Sequence, residues 1–283
     1  MKNILLPTDF SENSWNAIAY ALNFFQNIPC TFYLLHVNAL SYVAASNTDY
    51  SNDAVFVEQT FTKPAKKRLK TLLTRIETEF PQHKNHHFFA LTDYNFFVDA
   101  VRKRVLEKKI DLIVMGTKGA SGLKKVIVGS NAADVIKKVK CPTLVVPENA
   151  RFENLKEIAF PTDYYLTYGI DLLNPLYQIL EMHNSSLQII HITNDTEDLC
   201  VAQQDNKDLL NDYFNKFKIK FYNIANKNVE TAIEEFVEEK NITLVAMVAK
   251  NLNYFQRILF HSKVEEITYH TRIPFLVMHN KTA

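Results

Sequence analysis

Four of the five glycines in this 283-residue chain, Gly116, Gly119, Gly122 and Gly129, fall within residues 115–131, MGTKGASGLKKVIVGSN. Glycine is needed where a backbone must take positive φ or come close to a ligand, so this crowding marks one loop with special geometry. The apolar run DLIVM at 111–115 reads as a short buried strand entering the loop, and Ser130 opens a helical pattern behind it. A strand, a glycine loop and a helix N-terminus point backbone N–H groups and a positive dipole end at one place, and phosphate is the usual occupant. Strand-to-helix loops also use glycine for turning alone. Here the spacing is more particular: Gly116, two residues, Gly119, nine residues, then Gly129-Ser130. Lys118, Lys124 and Lys125 could neutralise phosphate or form a solvated face. The loop lacks Gly-Lys-Ser/Thr and is not a Walker P-loop.

Other residues with chemical potential carry weaker patterns. His83, His86 and His87 are close together, but Pro81 to His87 reads as a polar turn rather than a metal site. Cys30, Cys141 and Cys200 have no metal-type spacing and cannot all pair, which suits a reducing, cytoplasmic compartment. Cys141 precedes a proline and has no partner histidine readable from the sequence, so it is not read as a catalytic thiol. A net charge of +1 argues against a general nucleic-acid binder. No apolar run approaches bilayer length, so a soluble protein with no membrane association is expected.

The elements that must position the glycine loop follow a regular order. Residues 3–6 form a strand ended by Pro7-Thr8-Asp9. Ser11 caps a helix to about residue 25, with Trp15, Ile18, Ala21 and Leu22 inward. A strand at 31–37 ends in His36-Val37, and 38–55 reads as a long polar loop. A helix at 65–80, a strand at 88–91, a helix at 96–106, the glycine loop with its helix to about 138, and a strand at Thr143–Val146 complete the unit. Alternating strands and helices with right-handed crossovers predict a parallel sheet with helices on both faces. Ligands in such sheets bind at the carboxyl ends of the strands, where Asp9, Val37 and Met115 would sit. At 47% hydrophobic residues, a chain of this length can furnish two cores.

The same pattern then recurs. Pro7-Thr8-Asp9 returns as Pro161-Thr162-Asp163, residues 34–37 (LLHV) as 189–192 (IIHI), and Pro142 with its strand as Pro274 with its own. The paired histidines, His36 and His191, read as structural residues at strand ends. The chain is a tandem duplication, with domains at 1–148 and 155–283 joined by residues 148–155. The repeat offset is 154 at the aspartates but 132 at the closing prolines, so the second copy is shorter between its second and fourth strands. Through that offset Gly116 becomes Val248, Gly119 becomes Asn251 and Gly129 becomes His261, while Met115 and Ser130 persist as Met247 and Ser262. Side-chain bulk where a phosphate must approach the backbone predicts that the second copy binds no nucleotide.

The sequence resembles the universal stress protein family, specifically its tandem-domain, ATP-binding branch. Residues 3–11, NILLPTDFS, are similar to the family's opening strand, and 116–130 fits its G-2x-G-9x-G-S/T signature. The resemblance implies an α/β fold of two tandem five-stranded parallel-sheet domains with helices on both faces, adenine nucleotide alpha hydrolase-like. It further implies ATP in the first domain, with or without magnesium. Asp9 and Val37 would serve the adenosine end, with Met115 and Gly116 beside the ribose, and Pro7 and Thr8 would belong to the same cofactor-binding set. Gly119, Gly129, Ser130 and Asn131 would hold the phosphates. The closing strands of the two copies are expected to pair antiparallel as a pseudo-dimer, in a monomer or a homodimer. Three functions stay open: a stress-response regulator that binds ATP with slow or no hydrolysis and signals through protein partners, a slow ATPase or phosphotransferase, and a ligand-free interaction scaffold. No general base or arginine finger is evident in the sequence, which disfavours the enzyme.

Overall fold

A computed structural model describes residues 2–39, 54–81, 85–117, 130–193, 198–225, 229–249 and 273–279. The chain divides into two units, Met1–Phe152 and Glu153–Ala283.

The first unit runs β1 (Lys2–Pro7), α1 (Glu12–Phe24), β2 (Cys30–Ala39), α2 (Lys63–Glu79), β3 (His86–Asn95), α3 (Phe97–Glu107), β4 (Leu112–Gly116), α4 (Ser130–Lys138) and β5 (Thr143–Val146). Its strands lie parallel in the order β3-β2-β1-β4-β5. Ile4, Leu5 and Leu6 are consecutive and fully buried, as a central strand covered on both faces requires. Ser11 caps α1 by accepting the N–H of Ser14, and Trp15, Ile18, Ala21 and Leu22 face inward as expected. α2 shares a face with α1: the Arg75 guanidinium lies 3.8 Å from the Trp15 ring centroid and pairs with Glu12 at 3.1 Å. α3 packs on α4, with Arg102 Nε donating to Lys138 O at 2.8 Å. The return crossovers put this second pair on the opposite face.

Three boundaries differ from the sequence reading. β2 continues to Ala39, where residues 38–55 were expected to be irregular, and helix resumes at Ala54 through a π-helical turn at Glu58–Thr62. β3 spans His86–Asn95 rather than 88–91, because its register with β2 extends to Ala39↔Asn95 through the polar Thr92 and Asp93. An edge strand is half-exposed, so its polar end carries no apolar periodicity to read.

The second unit runs β6 (Glu157–Pro161), α5 (Ile170–His183), β7 (Ser186–Thr193), α6 (Val201–Tyr213), β8 (Ile219–Ala225), α7 (Val229–Glu239), β9 (Leu244–Val248) and β10 (Phe275–Met278). Its order, β8-β7-β6-β9-β10, all parallel, repeats that of the first unit strand for strand.

Candidate functional site

In the first unit the strand order reverses between β1 and β4, the place where open parallel sheets leave a crevice. Pro7, Thr8 and Asp9 leave the end of β1, and Met115 and Gly116 end the neighbouring β4. Val37 lies on the other side, two residues past Leu35, the β2 partner of Pro7. The structure therefore brings six of the ten candidate residues to one edge. Asn131 is exposed on α4, whose described part begins at Ser130. Gly119 and Gly129 lie outside the described residues.

The turn after β1 is tightly specified. Thr8 N donates to Leu35 O at 2.8 Å, extending the ladder by one rung. Phe10 then takes φ 64°, a left-handed conformation that costs a side-chain-bearing residue roughly 1–2 kcal/mol. Local contacts offset that cost. Phe10 N donates to Thr8 Oγ1 at 3.0 Å, and its ring packs 4.4 Å from His36 under the guanidinium of Arg68. His36 Nδ1 sits 2.8 Å from Thr8 O, and a carbonyl can only accept, so Nδ1 carries the proton. Ser14 Oγ donates to Ser11 O at 2.8 Å, which leaves the Thr8 hydroxyl to donate to Ser14 Oγ at 3.0 Å. Asp9 Oδ1 accepts both Ser11 N at 3.0 Å and Ser11 Oγ at 2.6 Å. One carboxylate oxygen thus already serves the turn that aims the side chain.

The second unit builds the same corner. Tyr164 takes φ 59°, its N donates to Thr162 Oγ1 at 2.9 Å, and its ring stacks 5.0 Å from His191. His191 Nδ1 donates to Thr162 O at 3.1 Å. The contents of the corner differ. The hydroxyl partner of Thr162 is Tyr168 OH, six positions on, where Ser14 serves Thr8. Between Pro161, Thr162, Leu166, Tyr168, Met247 and Val248 only about 10 Å³ of space is left, enough for about one water.

Residues 1–147 match the Universal stress protein family. The chain belongs to that family. A universal stress protein of Methanocaldococcus jannaschii is 32% identical over 150 residues, which cover 51% of this chain and 81% of the relative. The crystal structure of a universal stress protein from Archaeoglobus fulgidus is similar over 97% of each chain, with a TM-score of 0.70 at 18% identity. A universal stress protein solved in complex with cAMP matches 51% of this chain and 96% of its own, at 20% identity and a TM-score of 0.38. The α/β fold expected from the alternation of strands and helices is the family's fold.

Within this member of the universal stress protein family, Phe10, Ser14, His36 and Arg68 support the corner without having been candidates. A sequence signal existed only for His36, through its repeat in His191; Phe10 and Arg68 act through packing around one turn and Ser14 through its hydrogen bonds there. The histidine cluster also needs correction. His86 is no turn residue but a buried part of β3, its Nε2 3.1 Å from Phe25 O and 3.2 Å from Ile28 O, and burial lowers its pKa. His87 is exposed and His83 lies outside the described residues. Among the described residues no group of three or more His, Cys, Asp or Glu is placed to hold a metal, and no helix is long and apolar enough to cross a membrane. Cys30 and Cys141 are buried, and burial pushes the Cys30 thiol up to about 11, far from a nucleophile's range.

Proposed function

We propose that the first unit binds ATP at the β1–β4 edge and hydrolyses it slowly or not at all, the bound nucleotide setting a regulatory state read by protein partners. The observation that carries this is the juxtaposition of Pro7-Thr8-Asp9 with Met115-Gly116 on adjacent parallel strands, directly before the G-2x-G-9x-G-S loop and α4. The donor set suits a nucleotide. Asp9 can accept from ribose hydroxyls or an adenine amino group, and half-buried Val37 can cover the base. Met115 and Gly116 would lie beside the ribose. Gly119, Gly129, Ser130 and Asn131 would turn N–H groups and side-chain donors toward the phosphates at the start of α4. Magnesium, when bound with ATP, would neutralise phosphate charge.

What the corner commits its groups to supports the reading of slow hydrolysis. The Asp9 oxygen held by two donors from Ser11 is engaged in shaping its own turn, not in activating a water. A phosphoryl transferase needs a positioned base or a cation aimed at the transferring group. Nucleotide retained on purification and titration with ATP and magnesium test binding; ADP release over hours tests turnover. A chain that carries no nucleotide and gains no stability from millimolar ATP would refute binding. Rapid turnover without a partner would refute the regulatory role in favour of an enzyme.

A further inference from the structure

We propose that Tyr168 is a built-in occupant of the second unit's strand-edge pocket. Its ring fills a recess at the ends of β6 and β9 that would otherwise accept a flat aromatic molecule. The comparison with a ligand pocket rests on the nucleotide reading of the first unit. The recess itself does not.

The repeat supplies the argument. The residues around Tyr168 correspond one for one to the first unit's candidate site: Pro161 to Pro7, Thr162 to Thr8, Met247 to Met115 and Val248 to Gly116. Tyr168 occupies the place of Ser14 and makes the same bond, hydroxyl to threonine Oγ1. It is 4% exposed, and its ring meets Phe160 edge-on at 6.0 Å. Loss of solvent pushes its hydroxyl well above the usual phenol range, which keeps it neutral and able to donate.

The backbone is rearranged to let it in. α1 begins at Glu12, whose repeat position is Leu166, yet α5 begins only at Ile170. The positions of the first helical turn, 166–169, are non-helical in the second unit. Two replacements account for this. Ser11, the cap of α1, is replaced by Tyr165, and Trp15, which anchors the first turn of α1, by Gly169. With cap and anchor gone, the segment uncoils and Tyr168 turns inward, while Gly169 becomes the N-cap of α5 without a side-chain hydrogen bond. Burial of one aromatic ring in place of a solvent-filled recess outweighs the lost turn.

The test uses the full chain with Tyr168→Ser, which restores the first unit's residue, Tyr168→Phe, which keeps the ring, and p-cresol, the tyrosine side chain as a free molecule. Tyr168→Ser is expected to melt about 10 °C lower than wild type, and Tyr168→Phe to lose less than half of that. Millimolar p-cresol is expected to raise the melting of Tyr168→Ser by about 3 °C, or to restore its refolding if it does not fold alone, and to leave wild type and Tyr168→Phe unmoved. Equal losses in the two variants would overturn the proposal. So would a Tyr168→Ser chain that p-cresol neither stabilises nor refolds. ATP is titrated into wild type separately. An absent ATP shift counts against the nucleotide reading alone, and an absent p-cresol effect counts against the plug alone.

Discussion

The two units share a backbone corner and differ in what fills it. At both, a threonine carbonyl accepts from a histidine Nδ1, an aromatic residue takes positive φ against that histidine, and a hydroxyl pairs with the threonine side chain. In the first unit the hydroxyl belongs to a small serine on a helix, and β4 ends in Gly116. In the second it belongs to a tyrosine on an uncoiled segment, and β9 ends in Val248. The difference teaches that the corner is an architectural device retained for the sheet's sake. On the nucleotide reading proposed for the first unit, ligand capacity would be decided separately, by the volume of a few side chains.

The largest way to break this comparison is Gly129→Val, which brings side-chain bulk to the first loop where the second copy has His261. With micromolar affinity, millimolar ATP should stabilise the wild-type protein by about 4 kcal/mol and raise its melting by several degrees. The variant should show no shift; an undiminished one would remove the glycine loop from the binding argument. Next in size is the aspartate pair. Asp163 Oδ1 accepts Tyr165 N at 3.0 Å, as Asp9 Oδ1 accepts Ser11 N, so Asp163→Ala serves as the control for turn stability. Both alanine variants should lose about 1 kcal/mol in urea unfolding, and Asp9→Ala alone should also lose about 2 kcal/mol of ATP binding by calorimetry. Equal ATP affinities in the two variants would take Asp9 out of the site.

A smaller effect of opposite sign is expected at Tyr164. Its hydroxyl is buried and has no hydrogen-bond partner among the described residues, while Phe10 holds the same position with a ring alone. Removing an unsatisfied buried hydroxyl should help, so Tyr164→Phe is expected to raise stability by about 1 kcal/mol in urea unfolding. A loss would mean that the hydroxyl has a use. The smallest effect near neutrality concerns His183 at the end of α5, whose pKa burial lowers to about 4. A folded value below the ordinary 6.5 means that the unfolded chain takes up the proton first. Stability is then intact above about pH 6.5 and falls as pH drops toward 4. His86 in the first unit acts in the same direction. Comparing urea midpoints at pH 7.5 and 5 for wild type and His183→Gln should show a smaller difference in the variant; an unchanged difference would remove His183 from the acid response.

The sequence by itself determined the parallel α/β architecture and the duplication, and it singled out the glycine loop that is proposed to hold a phosphate. Consecutive apolar residues such as Ile4 to Leu6 mark a strand covered on both faces whatever its neighbours, and a repeated Pro-Thr-Asp marks equivalent strand ends without coordinates. The tertiary structure alone decided the polar half of β3, whose pairing with β2 is a long-range contact invisible to local pattern. It also decided the packing of Phe10 against His36 and Arg68, three residues from separate elements. Tyr168 shows the limit most clearly. In the string it is one tyrosine among thirteen in a polar stretch, and only the uncoiled start of α5 turns it into the pocket of the second unit. Periodicity reports which face of an element is buried. It is silent on which side chain closes a particular space, because that depends on how several elements meet.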